Sequence, residues 1–291
     1  ANEVSEIVVT GTRAVGRTRL ETVAPVDVIS DEALTQQGIS TELAQALSNL
    51  APSINFPRPA ITDGTDHIRP ATLRGLAPDQ TLVLVNGIRG NISALVNVNT
   101  SIGRGSTAFD LNTIPTMALG QVEVLRDGAS AQYGSDAIAG VINLRLREAR
   151  EGGEATYNYG IYNTEETSRN KRDANDGLTQ SVAAWQGLPL GEDGFLTITG
   201  EYVNRHPTNR SDSVNIPSAP LYRPGTVIGR FGDPDMESWT VFANAGLPID
   251  ETWSLYGYAG YQTKDSEAAA TARAYNNANN VVAIYPGGFL P

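Results

Sequence analysis

The stretch QVEVLRDGASAQYGSDAIAGVINLRLR, residues 121–147, organises the chain around itself. It opens with Val122, Val124 and then Arg126 in alternation, which predicts a strand with one apolar face. Asp127-Gly128 breaks that strand, since glycine supplies the positive φ of a sharp turn. A small-residue segment with a single aromatic, Tyr133, fills 129–140, and residues 141–146 alternate again as a second strand. Strand, tight turn, small-residue segment and strand make a compact unit that fits inside something narrow.

Two pieces of this stretch, V-E-V-L-R-D-G-A-S-A-Q-Y-G at 122–134 and A-G-V-I-N at 139–143, resemble the end of the plug domain of TonB-dependent outer-membrane transporters. Ala71-Thr72-Leu73-Arg74-Gly75 resembles the family's L-R-G strand end, and the likeness extends over residues 21–150. On the residues alone, a β-α-β piece of a soluble enzyme remains the other reading.

The elements before the stretch suit a small plug. Residues 23–29 alternate as a strand; Asp31 is placed to cap a short helix that Gly38 ends. Ser40 or Thr41 caps a second helix whose Leu43, Leu47 and Leu50 form one apolar stripe, stopped by Pro52. Residues 81–85 form a β run closed by Asn86-Gly87, a strong two-residue hairpin signal.

After Glu151-Gly152-Gly153 the texture changes. Residues 155–161, 178–188, 195–203, 239–247 and 253–263 alternate apolar with polar or small side chains, as a lipid-facing barrel wall does. Trp185, Trp239 and Trp253 lie towards strand ends, where interfacial girdles sit. The connections run long (163–177), short (189–194), long (205–237), short (248–251) and long (264 onwards). Long extracellular loops and short periplasmic turns alternate in this way in a barrel; a sandwich has no reason to sort them so. The expected fold is therefore an α+β plug followed by the antiparallel strands of an incomplete transmembrane β-barrel: 1–20 a flexible N-terminus, 21–150 the plug, and 151–291 the first five strands with their loops. Plugged barrels have roughly 22 strands. The expectation is that the remaining strands come from further sequence or a second chain, with residues 278–291 in an extracellular loop.

Composition removes several alternatives. A formal charge of −11, from 21 basic and 32 acidic residues, argues against nucleic acid, which needs a basic patch. Cysteine is absent, so there is no disulfide framework or thiolate site. No run of 18 apolar residues occurs to make a spanning helix. The start, Ala1-Asn2-Glu3, reads as that of a processed secretory chain. His67 and His206 fall in separate domains, and no G-x-S-x-G, G-x-G-x-x-G or Walker A sequence appears. No catalytic residue, metal site or cofactor is assigned. Asp63 and Asp66 have a place in a turn before they have one around a cation.

Three groups of candidate residues remain. Glu6, Ile7, Val8, Val9 and Thr10 form a β-branched run at a terminus that is mobile unless paired. It resembles the TonB box, which adds as a strand to the periplasmic partner TonB through free backbone groups. Arg74 and Arg126 end predicted strands; arginines at matching family positions lock the plug to glutamates of the barrel wall. Phe56, Arg58, His67, Arg69, Asn91, Asn97 and Asn99 lie on two loops, 55–67 and 91–104, or beside them. An aromatic, arginine- and amide-rich patch suits an oxygen-rich ligand. The resemblance implies TonB-dependent transport of a ferric siderophore, oligosaccharide or similar substrate across the bacterial outer membrane, with membrane lipid around the barrel and the N-terminus in the periplasm. The alternative is a receptor of the same architecture that signals or docks a partner without importing.

Overall fold

The computed structural model describes residue 10 and residues 25–35, 42–98, 101–167, 171–212 and 230–270. The N-terminal unit is a mixed sheet with two helices against it. Its elements are β1 (Val26–Ser30), α1 (Asp31–Thr35), α2 (Leu43–Leu50), the short pair β2 (Ile54–Asn55) and β3 (Thr72–Leu73), β4 (Thr81–Val85), β5 (Ile88–Arg89), β6 (Leu119–Leu125), α3 (Ser130–Tyr133) and β7 (Gly140–Leu146). The sheet order is β1-β6-β7-β4-β5, with β4 parallel to β7 and the other pairs antiparallel. Asn86 (φ 48°) and Gly87 (φ 79°) make the hairpin turn between β4 and β5, since a primed turn needs left-handed backbone at both positions. Gly140 opens β7 at φ 148°, where a Cβ would stand 2.2 Å from the Leu125 carbonyl oxygen; only glycine fits there.

The central stretch departs from its predicted single apolar face. Val122 and Val124 pack with Leu43, Leu47, Leu73, Ile142 and Leu144 on one side of the sheet, while Leu125 and Val141 join Val26, Leu82 and Leu84 on the other. Glu123 and Asn143 are buried between these cores because β6 and β7 are interior strands. The helix caps also differ from expectation. Ser30 Oγ accepts from Ala33 N–H at 3.3 Å and so serves α1 in place of Asp31. Glu42, extended and without a side-chain cap bond, precedes α2. Its carboxylate is engaged elsewhere.

The second unit is one antiparallel meander: β8 (Gly153–Glu166), β9 (Arg172–Leu190), β10 (Gly194–Arg205), β11 (Asp235–Pro248) and β12 (Ser254–Glu267), in the order β12-β11-β10-β9-β8. The five expected strands are present, and longer than expected. Residues 163–177, read as a long loop, are mostly ladder, with Asn163 opposite Asn175 and Glu166 opposite Arg172. Polar side chains had masked a strand whose backbone pairs fully. The turns between β9 and β10 and between β11 and β12 are short, and they share the end of the sheet opposite the long 206–234 connection. The alternation holds: Thr197, Thr199, Ser238, Thr240 and Asn244 are buried against the N-terminal unit, while Ile198, Trp239, Val241 and Tyr261 are exposed on the far side. Trp185 is the exception among the tryptophans. It falls on the inner face, where Arg147 lies 4.4 Å over its ring, so it is no outer girdle residue. Among the described residues no helix is long and apolar enough to cross a membrane.

Candidate functional site

The two units meet through polar side chains. Asn244 Nδ2 donates to the Arg147 carbonyl (3.0 Å), and Gln262 Nε2 to the Asn112 carbonyl (2.8 Å). Lys264 Nζ donates to Asp110 Oδ2 (2.7 Å) and the His67 carbonyl (2.9 Å). Phe242 is the wall aromatic that joins the plug core, with Tyr258 packed against the same cluster. At the short-turn end, Arg147 ties the exit of the N-terminal unit to Asp31 (2.7 Å) and to the Met117 and Leu119 carbonyls.

At the long-loop end an ion cluster spans both units. Glu42 Oε2 accepts from Arg69 Nε (3.2 Å) and Arg58 Nη2 (3.2 Å), and its other oxygen pairs with Arg205 of β10. Arg69 continues to Asp233 Oδ1 (3.2 Å) and to the carbonyls of Asp66 and Ile68, so every arm of this buried guanidinium is occupied. Burial works to raise the Glu42 pKa, but Arg69, Arg205 and Arg58 outweigh it and hold the carboxyl far below the usual range. A buried carboxylate among guanidiniums is firmly held only while the partners remain.

Next to the cluster, Asp66 organises the tip of the loop. It accepts from Ile61 N–H (3.0 Å), Gly64 N–H (3.2 Å) and Thr62 Oγ1 (2.5 Å). Burial would raise its pKa, but those hydrogen bonds lower it on balance. Ile61 is held at φ 60°, a strained angle for a β-branched residue that a fixed loop tolerates. Among the described residues no three His, Asp or Glu side chains group as metal ligands. Asp63 and Asp66 belong to turn chemistry.

The expected site residues divide by burial. Arg58 and Arg69 come together on Glu42, Arg58 just over a third exposed and Arg69 buried. His67 and Asn91 line a cleft of about 850 Å³ between the N-terminal unit and β12, with Phe109, Tyr261 and Lys264. Phe56 is in the core, and Asn97 is buried with its amide on Ser106 Oγ (3.1 Å); both serve the fold. Asn99 lies outside the described residues, as do Glu6, Ile7, Val8 and Val9. Thr10 is buried: its N–H donates to Glu123 Oε2 at 2.9 Å, its hydroxyl to the same oxygen, and Asn143 Nδ2 donates to that hydroxyl at 3.1 Å. Arg74 (φ 56°) and Arg126 are neighbours, joined by Arg74 Nη1 to the Arg126 carbonyl at 3.3 Å. Their carboxylate partners among the described residues are Asp127 (3.9 Å) and Asp27 (2.8 Å), both within the N-terminal unit. Sequence reasoning missed Glu42, Arg205 and Asp233. A signal existed for Arg205, a charged residue in the inward register of a face otherwise rich in threonine and serine.

Residues 18–141 match the family model described as the TonB-dependent receptor plug domain. The N-terminal unit is a TonB-dependent receptor plug domain. Over 119 residues it is 32% identical to the probable TonB-dependent siderophore receptor PirA of Acinetobacter baumannii, covering 41% of this chain and 16% of that protein. Over 237 residues it is 26% identical to the vitamin B12 transporter BtuB of Vibrio cholerae, covering 78% of this chain and 34% of the transporter. The solved ferric enterobactin receptor of Pseudomonas aeruginosa superposes with a TM-score of 0.58 at 19% identity, over 84% of this chain and 34% of that one. The chain thus spans about a third or less of the length of the relatives it matches. The N-terminal unit is the plug, and the meander is a stretch of the receptor's barrel wall.

Proposed function

We propose that this receptor imports a substrate across the bacterial outer membrane with energy delivered by TonB. The plug stops the barrel, the long-loop end faces outside, and the N-terminus hangs in the periplasm. Substrate arrives at the plug loops beside Arg58, Thr10 leaves Glu123, TonB adds residues 6–10 to its own sheet, and a pull on that strand displaces the plug. The observation that carries this reading is the polar seam. An apolar-cored plug seated in a wall mainly through ion pairs and hydrogen bonds, with Phe242 and Tyr258 the wall aromatics at its core, can move while baring little of that core. The siderophore and vitamin B12 relatives support a metal chelate or a molecule of similar size as cargo. Replacing Ile7 by proline tests the role of the run, because proline removes a donor from an added strand. Uptake by the complete receptor is expected to cease while substrate affinity at the cell surface stays unchanged. Normal uptake by Ile7→Pro retires the TonB assignment.

A further inference from the structure

Glu201 stands in the inward register of β10, between Thr199 and Val203, both of which are buried. Its cross-strand neighbour is Thr240 of β11, and Thr240 in turn lies opposite Gln262 of β12. With Asn112 and Ile114 of the plug and Ser238, Gln262 and Lys264 of the wall, it lines a cavity of about 20 Å³ at the seam. Among the described residues no hydrogen bond or ion pair reaches its carboxylate. An ionisable side chain at membrane depth is costly, and it is kept where it faces the interior and serves a partner or a path.

Lys264 lines the same cavity and is engaged with the plug. Its Nζ donates to Asp110 Oδ2 at 2.7 Å and to the His67 carbonyl at 2.9 Å. Both acceptors travel with the plug. Asp110 keeps the N–H groups of Arg69 and Asn112, each at 3.1 Å, wherever the plug goes. Lys264 stays on the wall and loses both of those partners at once. Glu201 is the wall carboxylate of the cavity that Lys264 then faces.

We propose that Glu201 takes Lys264 when the plug leaves its seat, so that the wall exchanges one ion pair for another instead of losing it. This rests on the uptake reading, in which the plug moves, and adds a residue to it. Two strands across and two residues along, standard spacing puts the two Cα atoms about 12 Å apart, a span that both extended side chains and one hydrogen bond cover. In the seated state Asp110 and the His67 carbonyl are already at bonding distance and hold the ammonium. Displacing the plug then costs less by the pair regained, and the return of Asp110 takes Lys264 back.

The test is a double-mutant cycle on plug release by the complete receptor in isolated outer membranes. Urea is set where the plug comes free and the barrel stays heat-modifiable, and dilute protease reads release as cleavage within residues 21–150. Under dilute protease, cleavage tracks the population of the released state. Glu201→Gln, uncharged and of the same shape, should slow cleavage about twofold or more in the receptor that has Lys264, and leave it unchanged in a Lys264→Met background, because partners couple while independent sites add. Equal slowing in both backgrounds means that Glu201 is only a strained charge of the seated state, and overturns the proposal. A rate unchanged or raised by Glu201→Gln alone overturns it too. Isolated outer membranes carry no energy source, so a failed cycle leaves the uptake reading to the Ile7→Pro experiment. Uptake that survives Ile7→Pro, in turn, leaves the coupling of Glu201 to Lys264 as measured.

Discussion

In the plug, Val122, Val124, Ile142 and Leu144 have no solvent access, whereas in the wall Trp239, Val241, Leu255 and Tyr261 are each more than half exposed. Both sets sit on alternating strands. The plug turns its apolar side chains to two internal cores; the wall turns them outward and keeps Thr, Ser and Asn for the side facing the plug. One alternation thus serves two surroundings, and the seam between them is mostly polar, with Phe242 as an apolar anchor from the wall. Hydrophobic burial holds each unit together, while ion pairs, hydrogen bonds and Phe242 hold one to the other.

Breaking the seam should have the largest effect. Glu42→Ala removes from buried Arg205 its ion-pair partner among the described residues and leaves Arg69 with Asp233 alone, at a cost of about 3–5 kcal/mol. Limited proteolysis of the complete receptor should then cut the plug sooner while the barrel keeps its heat-modifiable mobility on gels. Because the folded pKa of Glu42 is depressed, its contribution is complete above the ordinary carboxylate range and is lost only as pH falls through the depressed value. Plug resistance in the unaltered receptor should therefore be level from pH 8 to about 5 and fall in stronger acid.

On the outer face, Val241→Lys puts a charge into lipid, at about 2–4 kcal/mol near the bilayer midplane and less towards its edges. Urea unfolding in bilayers should register that loss, with plug proteolysis unchanged. Loss of plug protection as well would mean that wall and plug do not fail separately. Inside the plug, Glu123→Gln removes the carboxylate that holds Thr10 and is expected to cost about 1–3 kcal/mol. Hydrogen exchange should quicken in β6 and β7 and stay unchanged in β10 and β11. The smallest effect belongs to Arg126→Ala. Arg126 is 43% exposed on Asp27, so about 0.2–1 kcal/mol is expected, shrinking with added salt. A loss nearer the Glu42→Ala value would reveal a buried wall carboxylate beyond the described residues.

The fold was legible where periodicity and punctuation agreed. Asn86-Gly87, the Leu43 and Leu47 stripe and the alternation of 239–247 each appear where local chemistry puts them. Residues 163–177 were misread because Asn, Glu and Asp look like loop, although backbone pairing is indifferent to them. The ion cluster was hidden for a different reason. Glu42, Arg69, Arg205 and Asp233 are far apart in sequence, and only the docking of the plug on β10 brings them together. Burial likewise separates Arg58 from Phe56 and Asn97, a distinction that residue type alone does not make.

The polar seam also governs how motion across it would feel. Two oily faces pressed together part in one costly step, since all their surface is wetted together. Between Thr197 and Lys264 each wall group holds one or two polar bonds that water can replace on arrival, one at a time. Such a joint slides through many low barriers instead of one high one. It behaves as a lubricated bearing, to which a weak and sustained pull is better suited than a sharp one.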